Sequence, residues 1–355
     1  INPETREEAG AKYRADYEKV RLQRAEAGKK KKLMTLAEAR EHAPAIGWEG
    51  YDPPQPAKPG VHVLKGFDLE KLRPYIDWTP FFHTWRLPGR YPNILEDVEA
   101  GAEARRLMAD AETILDELIA GGELQAAAVL GLFPAERDGD DLVLFTGADR
   151  NTELKRVPFL RQQRRSAGGR PNFCLADFVA AKGSGLKDWV GGFVVTAGLG
   201  AREAAARREA DDDDYRSIMV KALADRLAEA FAEYLHEQVR KDYWAYAADE
   251  DLDNEALIKE EYRGIRPAPG YPACPDHLAK KFIFALLDAE ENTGTTLTES
   301  CAMEPAASVA GWYFSHPESR YFGLGRVDTD QVADYAARAG ISEEESAGWL
   351  APNLD

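Results

Sequence analysis

The sequence has little of several features that would assign it to a class at once. No hydrophobic run approaches the length of a membrane span, and the chain does not open with a signal-peptide pattern. Basic residues are outnumbered, because 45 Lys and Arg stand against 62 Asp and Glu, for a formal net charge of −17. Since a nucleic-acid surface needs concentrated positive charge, we expect neither a nucleic acid nor a membrane as partner.

Cysteine is also scarce. Cys174, Cys274 and Cys301 are far apart in the sequence and form no C-x-x-C motif. An odd number of isolated cysteines argues against a disulfide framework and favours a reducing, cytoplasmic compartment. Cys274 and His277 have a C-x-x-H spacing, but two ligands do not make a zinc site, so we assign both residues to a loop and expect no bound metal.

The first 34 residues differ in composition from the rest. They are charged, poor in large apolar side chains and predicted to be helical over 7–24, and they end near the tract Lys29-Lys-Lys-Lys32. Such a tract is typical of a solvated linker, although it could also contact an acidic neighbour; we favour the linker. Because the chain begins with Ile1 and not Met, we expect it to be a fragment or a processed product.

Hydrophobic residues make up 44% of the whole chain. After residue 34, helical and strand patterns alternate along the sequence. The spacing of apolar residues predicts long helices over 98–119 and 215–243, and a capping box at Thr35-x-x-Glu38 starts a short one. Hairpin-linked strands favour an α+β fold, with an antiparallel sheet flanked by helices rather than a doubly wound sheet. The predicted strands are 61–64, 127–133, 142–145, 295–298, 307–314 and 321–326.

A stiff segment, Arg266-Pro-Ala-Pro-Gly-Tyr-Pro-Ala-Cys-Pro275, separates two helical stretches. The prolines restrict φ and exclude a helix, while Gly270 allows a turn that a Cβ would obstruct. Arg266 brings a planar fork of donors that suits a carboxylate or a phosphate. The simpler interpretation is a rigid turn with a solvated arginine.

Carboxylates occur in two other places where a ligand could use them. Asp77 lies in the aromatic run Asp77-Trp-Thr-Pro-Phe-Phe-His-Thr-Trp85, where it either caps a helix or a turn beside core aromatics or pairs with a cationic group. Asp225 and Glu229 lie four apart on one helix face, where they are either solvated or close to a cationic ligand.

The stretch Gly191-Gly-Phe-Val-Val-Thr-Ala-Gly-Leu-Gly200 has the strand–glycine–helix context of a nucleotide-binding fingerprint. Glu203 stands where the third glycine should be, and no clear βαβ repeat follows. We therefore predict a strand that ends in a tight turn.

The chain contains several long motifs: Tyr75-Ile-Asp-Trp-Thr-Pro-Phe-Phe82, Cys174-Leu-Ala-Asp-Phe178, residues 220–237, residues 264–275, Gly311-Trp-Tyr-Phe-Ser-His-Pro317 and Trp349-Leu-Ala-Pro-Asn353. In the same order, these motifs resemble the C-terminal activation domain of cobalamin-dependent methionine synthase. The resemblance runs from about residue 35 to the end, so we assign a globular domain to 35–355 and compare 1–34 with the family's linker from its cobalamin domain.

This resemblance implies a C-shaped α+β domain that binds S-adenosylmethionine (AdoMet). It implies a role in reductive methylation of cob(II)alamin to methylcobalamin, with an electron from flavodoxin or another flavoprotein reductase. The cobalamin would be held by a domain absent from this chain. The family's AdoMet contacts carry over to Asp77, Arg266, Ala268, Gly270, Tyr271, Tyr321 and Phe322.

The chemistry of these residues agrees with the resemblance. Arg266 would take the AdoMet carboxylate bidentately, and Asp77 would pair with the ammonium group. Ala268 and Gly270 would let the ligand approach the backbone, and Tyr321 would offer a ring and a hydroxyl to the adenosine. Asp225 and Glu229 would face the sulfonium or the corrin.

Two departures qualify the expectation. Phe322 stands where the family often has tyrosine, so a side-chain hydrogen bond from that position is lost. The cobalamin signature D-x-H-x-x-G and the cysteines of the homocysteine zinc site do not occur, so we expect this chain alone not to make methionine.

Two other functions remain open at this point. The chain could be chiefly a docking module for the cobalamin domain and flavodoxin, with AdoMet binding secondary. It could instead be a free-standing AdoMet methyltransferase that uses Gly198-Leu-Gly200.

Overall fold

A computed structural model describes residues 33–165 and 168–354. The predicted helix at 7–24 and the tract Lys29–Lys32 lie outside the described residues. Within them, ten α-helices surround an antiparallel sheet. None of these helices combines the length and the apolar composition that crossing a bilayer requires.

The helices are bounded as follows: α1 Leu36–Glu41, α2 Thr79–Thr84, α3 Gly101–Ala120, α4 Ala201–Ala210, α5 Asp214–Gln238, α6 Asn254–Ile258, α7 Ala279–Leu287, α8 Ala289–Thr293, α9 Thr329–Ala339 and α10 Glu343–Trp349. Helix α5 continues into a π-helical turn, Val239–Tyr243. Short 3-10 helices are Leu69–Tyr75, Asn93–Glu96, Leu175–Phe178 and Ala351–Asn353.

The strands are bounded as follows: β1 Gly60–Phe67, β2 Gln125–Asp138, β3 Asp141–Phe145, β4 Glu153–Pro158, β5 Asp188–Leu199, β6 Thr296–Leu297, β7 Met303–Glu304 and β8 Ser308–Tyr313. The main sheet has the order β4-β3-β2-β5-β8, and β6 pairs with β7 separately. Strand β1 pairs with residues 126–132 of β2, on the same side as β3, which pairs with 135–138. Every pairing between named strands is antiparallel, which confirms the predicted α+β class.

Both faces of the sheet are buried, which explains why its strands are almost continuously apolar. Along β2, Leu130 and Leu132 point to one core while Val129 and Phe133 point to the other, as the period of two requires. Helices α3 and α5 cover the first face, and α7 covers the second. A third, smaller core joins α9 and α10 to Leu160.

The edge strand β8 is covered by the start of the proline-rich loop. Ile265 and Phe314 exchange backbone hydrogen bonds at 3.0 Å, and the Trp312 N–H donates to the Pro267 carbonyl at 3.0 Å. Gly311 permits this approach, because a Cβ there would lie 2.8 Å from the Pro267 oxygen. The loop is thus held against the sheet, and Arg266 lies between its two anchoring residues.

Most predicted elements are confirmed, with small changes at their ends. The capping box at Thr35 and Glu38 starts α1, and the hairpin turn lies between Asp138 and Asp141. The stretch that resembles a nucleotide-binding fingerprint forms β5, a left-handed Gly200 and α4, but both neighbours of β5 are antiparallel. The Rossmann alternative is therefore excluded by topology.

One predicted strand is wrong. Residues 321–326 form no strand, although their composition is that of one. Tyr321 and Phe322 face the cleft described below, and Leu324 makes a backbone hydrogen bond to Pro272 at 2.7 Å. The segment packs against the loop instead of pairing with the sheet, and Gly325 turns it with φ of 75°.

Candidate functional site

A cleft opens between α5, the proline-rich loop, Glu260 just after α6, and residues 321–322. It has two adjoining chambers. The apolar chamber, of about 480 Å³, is lined by Pro267, Ala268, Pro272, Ala273, Val309, Tyr321 and Phe322. The charged chamber, of about 310 Å³, is lined by Tyr75, Asp77, Pro80, Arg226, Ala230, Glu233, Leu257 and Ile258. Four residues line both chambers: Glu229, Glu260, Arg266 and Tyr271.

Arg266 stands on the wall that the chambers share. Its Nη2 donates to Oε2 of Glu233 at 2.9 Å, and its side chain is only 20% exposed. Burial is the largest single effect and by itself would lower the pKa of Arg266. The charge of Glu233, together with Tyr262, Tyr321 and Glu229, outweighs burial, so the pKa of Arg266 is raised well above its usual value. Arg266 is therefore a fixed cation with donors left to bind an anion.

Asp77 is placed by the short stretch between the 3-10 helix Leu69–Tyr75 and α2. Its Oδ1 accepts a hydrogen bond from the Thr79 N–H at 2.9 Å. The same carboxylate lines the charged chamber. The two interpretations of Asp77, as a cap and as a ligand-facing carboxylate, are thus compatible.

Tyr321 supports the loop as well as lining the cleft. Its hydroxyl accepts a hydrogen bond from the backbone N–H of Arg266 at 3.0 Å. Burial raises the pKa of this hydroxyl, so it stays protonated and keeps a proton to donate.

Tyr271 crosses the cleft from the loop to α5. Its hydroxyl donates to Oε1 of Glu229 at 3.2 Å, while the residue remains 54% exposed. The charge of Glu229, helped by burial, raises the pKa of Tyr271. Both residues line both chambers, so this bond lies where the chambers adjoin.

Glu260 enters the cleft just after α6 with a φ of 58°, in the left-handed region that residues with a Cβ rarely adopt. Burial raises its pKa, and the Arg266 charge offsets part of that rise. With Asp77, Glu229 and Glu233, it gives the charged chamber four carboxylates against the guanidinium groups of Arg226 and Arg266. The chamber therefore favours a ligand portion with net positive charge.

Comparison with known proteins decides the family. A family described as vitamin B12 dependent methionine synthase, activation domain, matches residues 68–340. The chain belongs to this family. A solved structure described as the MetH reactivation domain bound to AdoHcy aligns with a TM-score of 0.88 and 54% sequence identity, covering 91% of this chain and 98% of that one.

The activation-domain fold brings most of the predicted site residues together. Seven of them line one or both chambers: Asp77, Glu229, Arg266, Ala268, Tyr271, Tyr321 and Phe322. Two do not. Asp225 lies outside the lining and pairs with Arg226 at 2.5 Å, with its side chain 55% exposed.

Gly270 is the second residue outside the lining. Its N–H donates to the Cys274 carbonyl at 2.7 Å, so this backbone group is not open to a ligand. Its φ is 97°, and a Cβ would lie 2.5 Å from the ring of His277. In this activation domain Gly270 therefore shapes the loop, and the cleft is lined by other loop residues, including Ala268 and Tyr271.

Phe322 packs against aromatic side chains behind the cleft. Its ring stacks on Phe173 at 5.7 Å between centroids and contacts Phe178. Phe178 belongs to the motif Cys174–Phe178, whose Asp177 pairs with Arg161 in the protein interior at 2.7 Å. That motif therefore supports the cleft from behind and does not line it.

Sequence analysis missed Glu233, Glu260 and Tyr75. The sequence did offer a signal for Glu233. It follows Glu229 by four residues, so the two share a helix face, and it lies beside the apolar stripe of α5. Glu260 and Tyr75 had none, since they reach the cleft only through the packing of separate segments.

A larger groove, of about 690 Å³, lies beside Gly198 and Gly200. Its Arg202 is 85% exposed and pairs with Glu304 at 3.2 Å, so it is not a buried cation awaiting an anion. A Cβ on Gly200 would lie 2.3 Å from the Glu123 carbonyl oxygen. The glycine is thus required by chain packing, and size alone does not make this groove the ligand site.

Proposed function

We propose that the two-chambered cleft binds AdoMet, and that the domain supplies its methyl group for reductive methylation of cob(II)alamin to methylcobalamin. The observation that carries this proposal is the pairing of a mostly apolar chamber with a charged one across Arg266. AdoMet has the same division, with an adenosine at one end and an amino acid and a sulfonium at the other. Family membership and the AdoHcy-bound relative support it.

Each group in the cleft has a role in this proposal. Arg266 binds the carboxylate of the ligand, and Asp77 binds its ammonium group. Phe322 and the ring of Tyr321 contact the adenosine, and Ala268 lets it lie close to the backbone. Glu229 and Glu260 face the sulfonium, whose positive charge they stabilise.

AdoMet, when bound, supplies an electrophilic methyl group. The contribution of this chain is to bind and orient it, which accounts for much of the rate of a bimolecular transfer. We assign no nucleophile or general base to the chain, and we propose that it does not make methionine without the rest of the enzyme.

The partners follow from the family. We propose that a cobalamin-binding domain of the same enzyme docks at the open side of the cleft, and that flavodoxin or a flavoprotein reductase supplies the electron. Residues 1–34 would link to that domain. Cys174, Cys274 and Cys301 are free and buried, which supports a reducing, cytoplasmic setting.

Calorimetric titration of the chain with AdoMet, without cobalamin, tests the binding step. We expect saturable one-to-one binding by the wild type, and a loss of about tenfold or more in affinity for Arg266→Ala, because the carboxylate of the ligand would lose a charged partner. Unchanged affinity in Arg266→Ala would reject this assignment of the site.

Arg202→Ala is the matched control, since it removes an arginine from the larger groove. We expect its affinity for AdoMet to equal that of the wild type. The opposite pattern, with Arg202→Ala impaired and Arg266→Ala normal, would move the ligand to the groove beside Gly200.

A further inference from the structure

We propose that Glu233 is a positioning residue that orients Arg266 for the carboxylate of the ligand. The inference rests on the proposed function and adds a residue to the same site. Glu233 lies on α5 one turn after Glu229, with its side chain only 9% exposed. Its Oε2 accepts from Nη2 of Arg266 at 2.9 Å, at the edge of the charged chamber.

A second guanidinium lies behind Glu233. Nη1 of Arg240 is 4.0 Å from Oε1 of Glu233, and the Arg240 side chain is fully buried. Arg240 is itself held by Glu250, with contacts of 2.7 and 2.9 Å, and its guanidinium lies 4.2 Å from the ring centre of Tyr262. Arg266, Glu233, Arg240 and Glu250 thus form a row of alternating charge that runs from the cleft into the protein.

Arg266 holds Glu233 by a hydrogen bond on one side, and the charge of Arg240 attracts it across 4.0 Å on the other. The same hydrogen bond orients the Arg266 guanidinium. A free arginine side chain loses conformational entropy when it is held in one geometry. Here part of that cost is met in folding, before any ligand arrives. A fork that is already oriented binds a carboxylate more tightly than a mobile one.

Simple neutralisation of the buried Arg266 charge is the competing role for Glu233. The two roles differ in what they need from residue 233. Positioning needs an acceptor oxygen at the present distance from Nη2, whereas neutralisation needs a negative charge in the neighbourhood. Glu233→Gln keeps the first and removes the second. Glu233→Asp keeps the charge but withdraws the oxygen by one methylene.

The experiment compares two thioether ligands by calorimetric titration of both variants and the wild type. AdoHcy has the amino-acid end, and 5′-methylthioadenosine is the same nucleoside thioether without it. We expect Glu233→Asp to weaken AdoHcy binding about tenfold and Glu233→Gln to weaken it less than about threefold. Binding of 5′-methylthioadenosine should change less than about twofold in either variant, since no carboxylate is present to be oriented.

Asp188→Asn is the control for a buried carboxylate outside the cleft, because Asp188 is 3% exposed and its carboxylate accepts hydrogen bonds from the backbone N–H groups of Ala180 and Trp189. We expect it to bind AdoHcy like the wild type. Greater loss in Glu233→Gln than in Glu233→Asp would overturn the proposal in favour of neutralisation. Equal losses for the two ligands would overturn it in favour of a general structural role.

If the proposed function is wrong, the titrations would give a different result. In that case the wild type itself would bind neither AdoMet nor AdoHcy, and the inference about Glu233 would fall with it. Wild-type binding together with unchanged AdoHcy affinity in both Glu233 variants would reject the inference alone.

Discussion

Glu260 reaches the cleft from a backbone conformation that is unfavourable for a residue with a Cβ. Its neighbours in the charged chamber include Arg266 and Glu229, so its charge lies among other fixed charges. Strain of this kind is retained where the surrounding structure imposes it, and here it directs a carboxylate into the cleft. The residue had no marker in the sequence.

We expect Glu260 to contribute to ligand affinity through its charge. A comparison of AdoMet with AdoHcy isolates this effect of charge. AdoMet carries a sulfonium cation, whereas AdoHcy carries a neutral thioether in its place. We predict that Glu260→Gln lowers AdoMet affinity about threefold and leaves AdoHcy affinity nearly unchanged, the size expected for a partly exposed charge pair. Titration calorimetry with both ligands measures the difference.

The raised pKa of Glu260 adds a pH dependence with a definite sign. As pH falls through that pKa the carboxylate is protonated, so wild-type preference for AdoMet over AdoHcy should decrease towards acid pH. Glu260→Gln should show a flatter profile. Equal loss of both ligands in the variant would mean that Glu260 acts through the shape of the cleft.

At the scale of elements, the proline-rich loop depends on one glycine and one histidine. A Cβ on Gly270 would lie 2.5 Å from Cε1 of His277. The His277 ring cannot move freely, because its Nδ1 is 2.9 Å from Nζ of Lys280, which also donates to the Cys301 carbonyl at 2.9 Å. The loop therefore has two requirements at residue 270: a left-handed backbone and no side chain.

We predict that Gly270→Ala destabilises the domain by about 2 to 4 kcal/mol, from left-handed strain and steric overlap together. Gly325→Ala is the matched control, because Gly325 has φ of 75° with no atom within 4 Å of the added Cβ. It should cost only about 1 to 2 kcal/mol, the strain alone. Chemical denaturation of both variants measures the difference.

Adding His277→Ala to Gly270→Ala should recover part of the loss, since it removes the atom that the Cβ would meet. No recovery would show that the clash is not the cause. The Gly270 variant should also weaken AdoMet binding, because Ala268 and Tyr271 on either side of it line the cleft.

At the scale of the whole molecule, a network of buried ion pairs near the β2–β3 turn connects segments that are distant in the sequence. Arg161, 2% exposed, pairs with Asp140 at 2.6 Å and with Asp177 at 2.7 Å. Arg40 of α1 joins the same Asp140 at 2.8 Å and reaches Asp334 of α9 at 2.9 Å. The network thus connects the first and next-to-last helices to the β2–β3 turn.

Removal of Arg161, the central cation of this network, should strongly lower the free energy of unfolding. We predict that Arg161→Ala destabilises the domain by about 3 to 5 kcal/mol, because two buried carboxylates lose the buried cation that they share. Arg106→Ala, which breaks an exposed pair with Glu103, should change stability by less than about 1 kcal/mol. The free energy of unfolding from urea titration compares them, and similar values would contradict the role assigned to burial.

The stabilisation from this network should weaken at acid pH, because the pKa of its Asp140 carboxyl group is lowered in the folded protein. Burial opposes ionisation of Asp140, but the charge and hydrogen bonds of Arg161, with those of Arg40, outweigh it and lower the pKa of Asp140. Its contribution is therefore present above the pKa of an unfolded aspartate and is lost as pH falls through the folded pKa. The stability gap between wild type and Arg161→Ala should narrow in that acid range.

Much of the fold could be predicted from the sequence because local signals are strong here. Apolar spacing placed α3 and most of α5, the Asp138–Asp141 turn located a hairpin, and Glu203 argued correctly against a Rossmann site. The rigid loop at Arg266 was also visible, since proline and glycine restrict the backbone wherever they occur. The family follows from motifs that are local too.

Only the tertiary structure decided which side chains meet. Residues 321–326 have strand composition, yet they pack on the loop because the edge of β8 is already taken by Ile265 and Pro267. The spacing of Glu233 from Glu229 hinted at a shared helix face, but only the tertiary structure placed it between Arg240 and Arg266. Local sequence determines backbone conformation through sterics and short-range periodicity, whereas burial and charge pairing depend on segments that are distant in the chain.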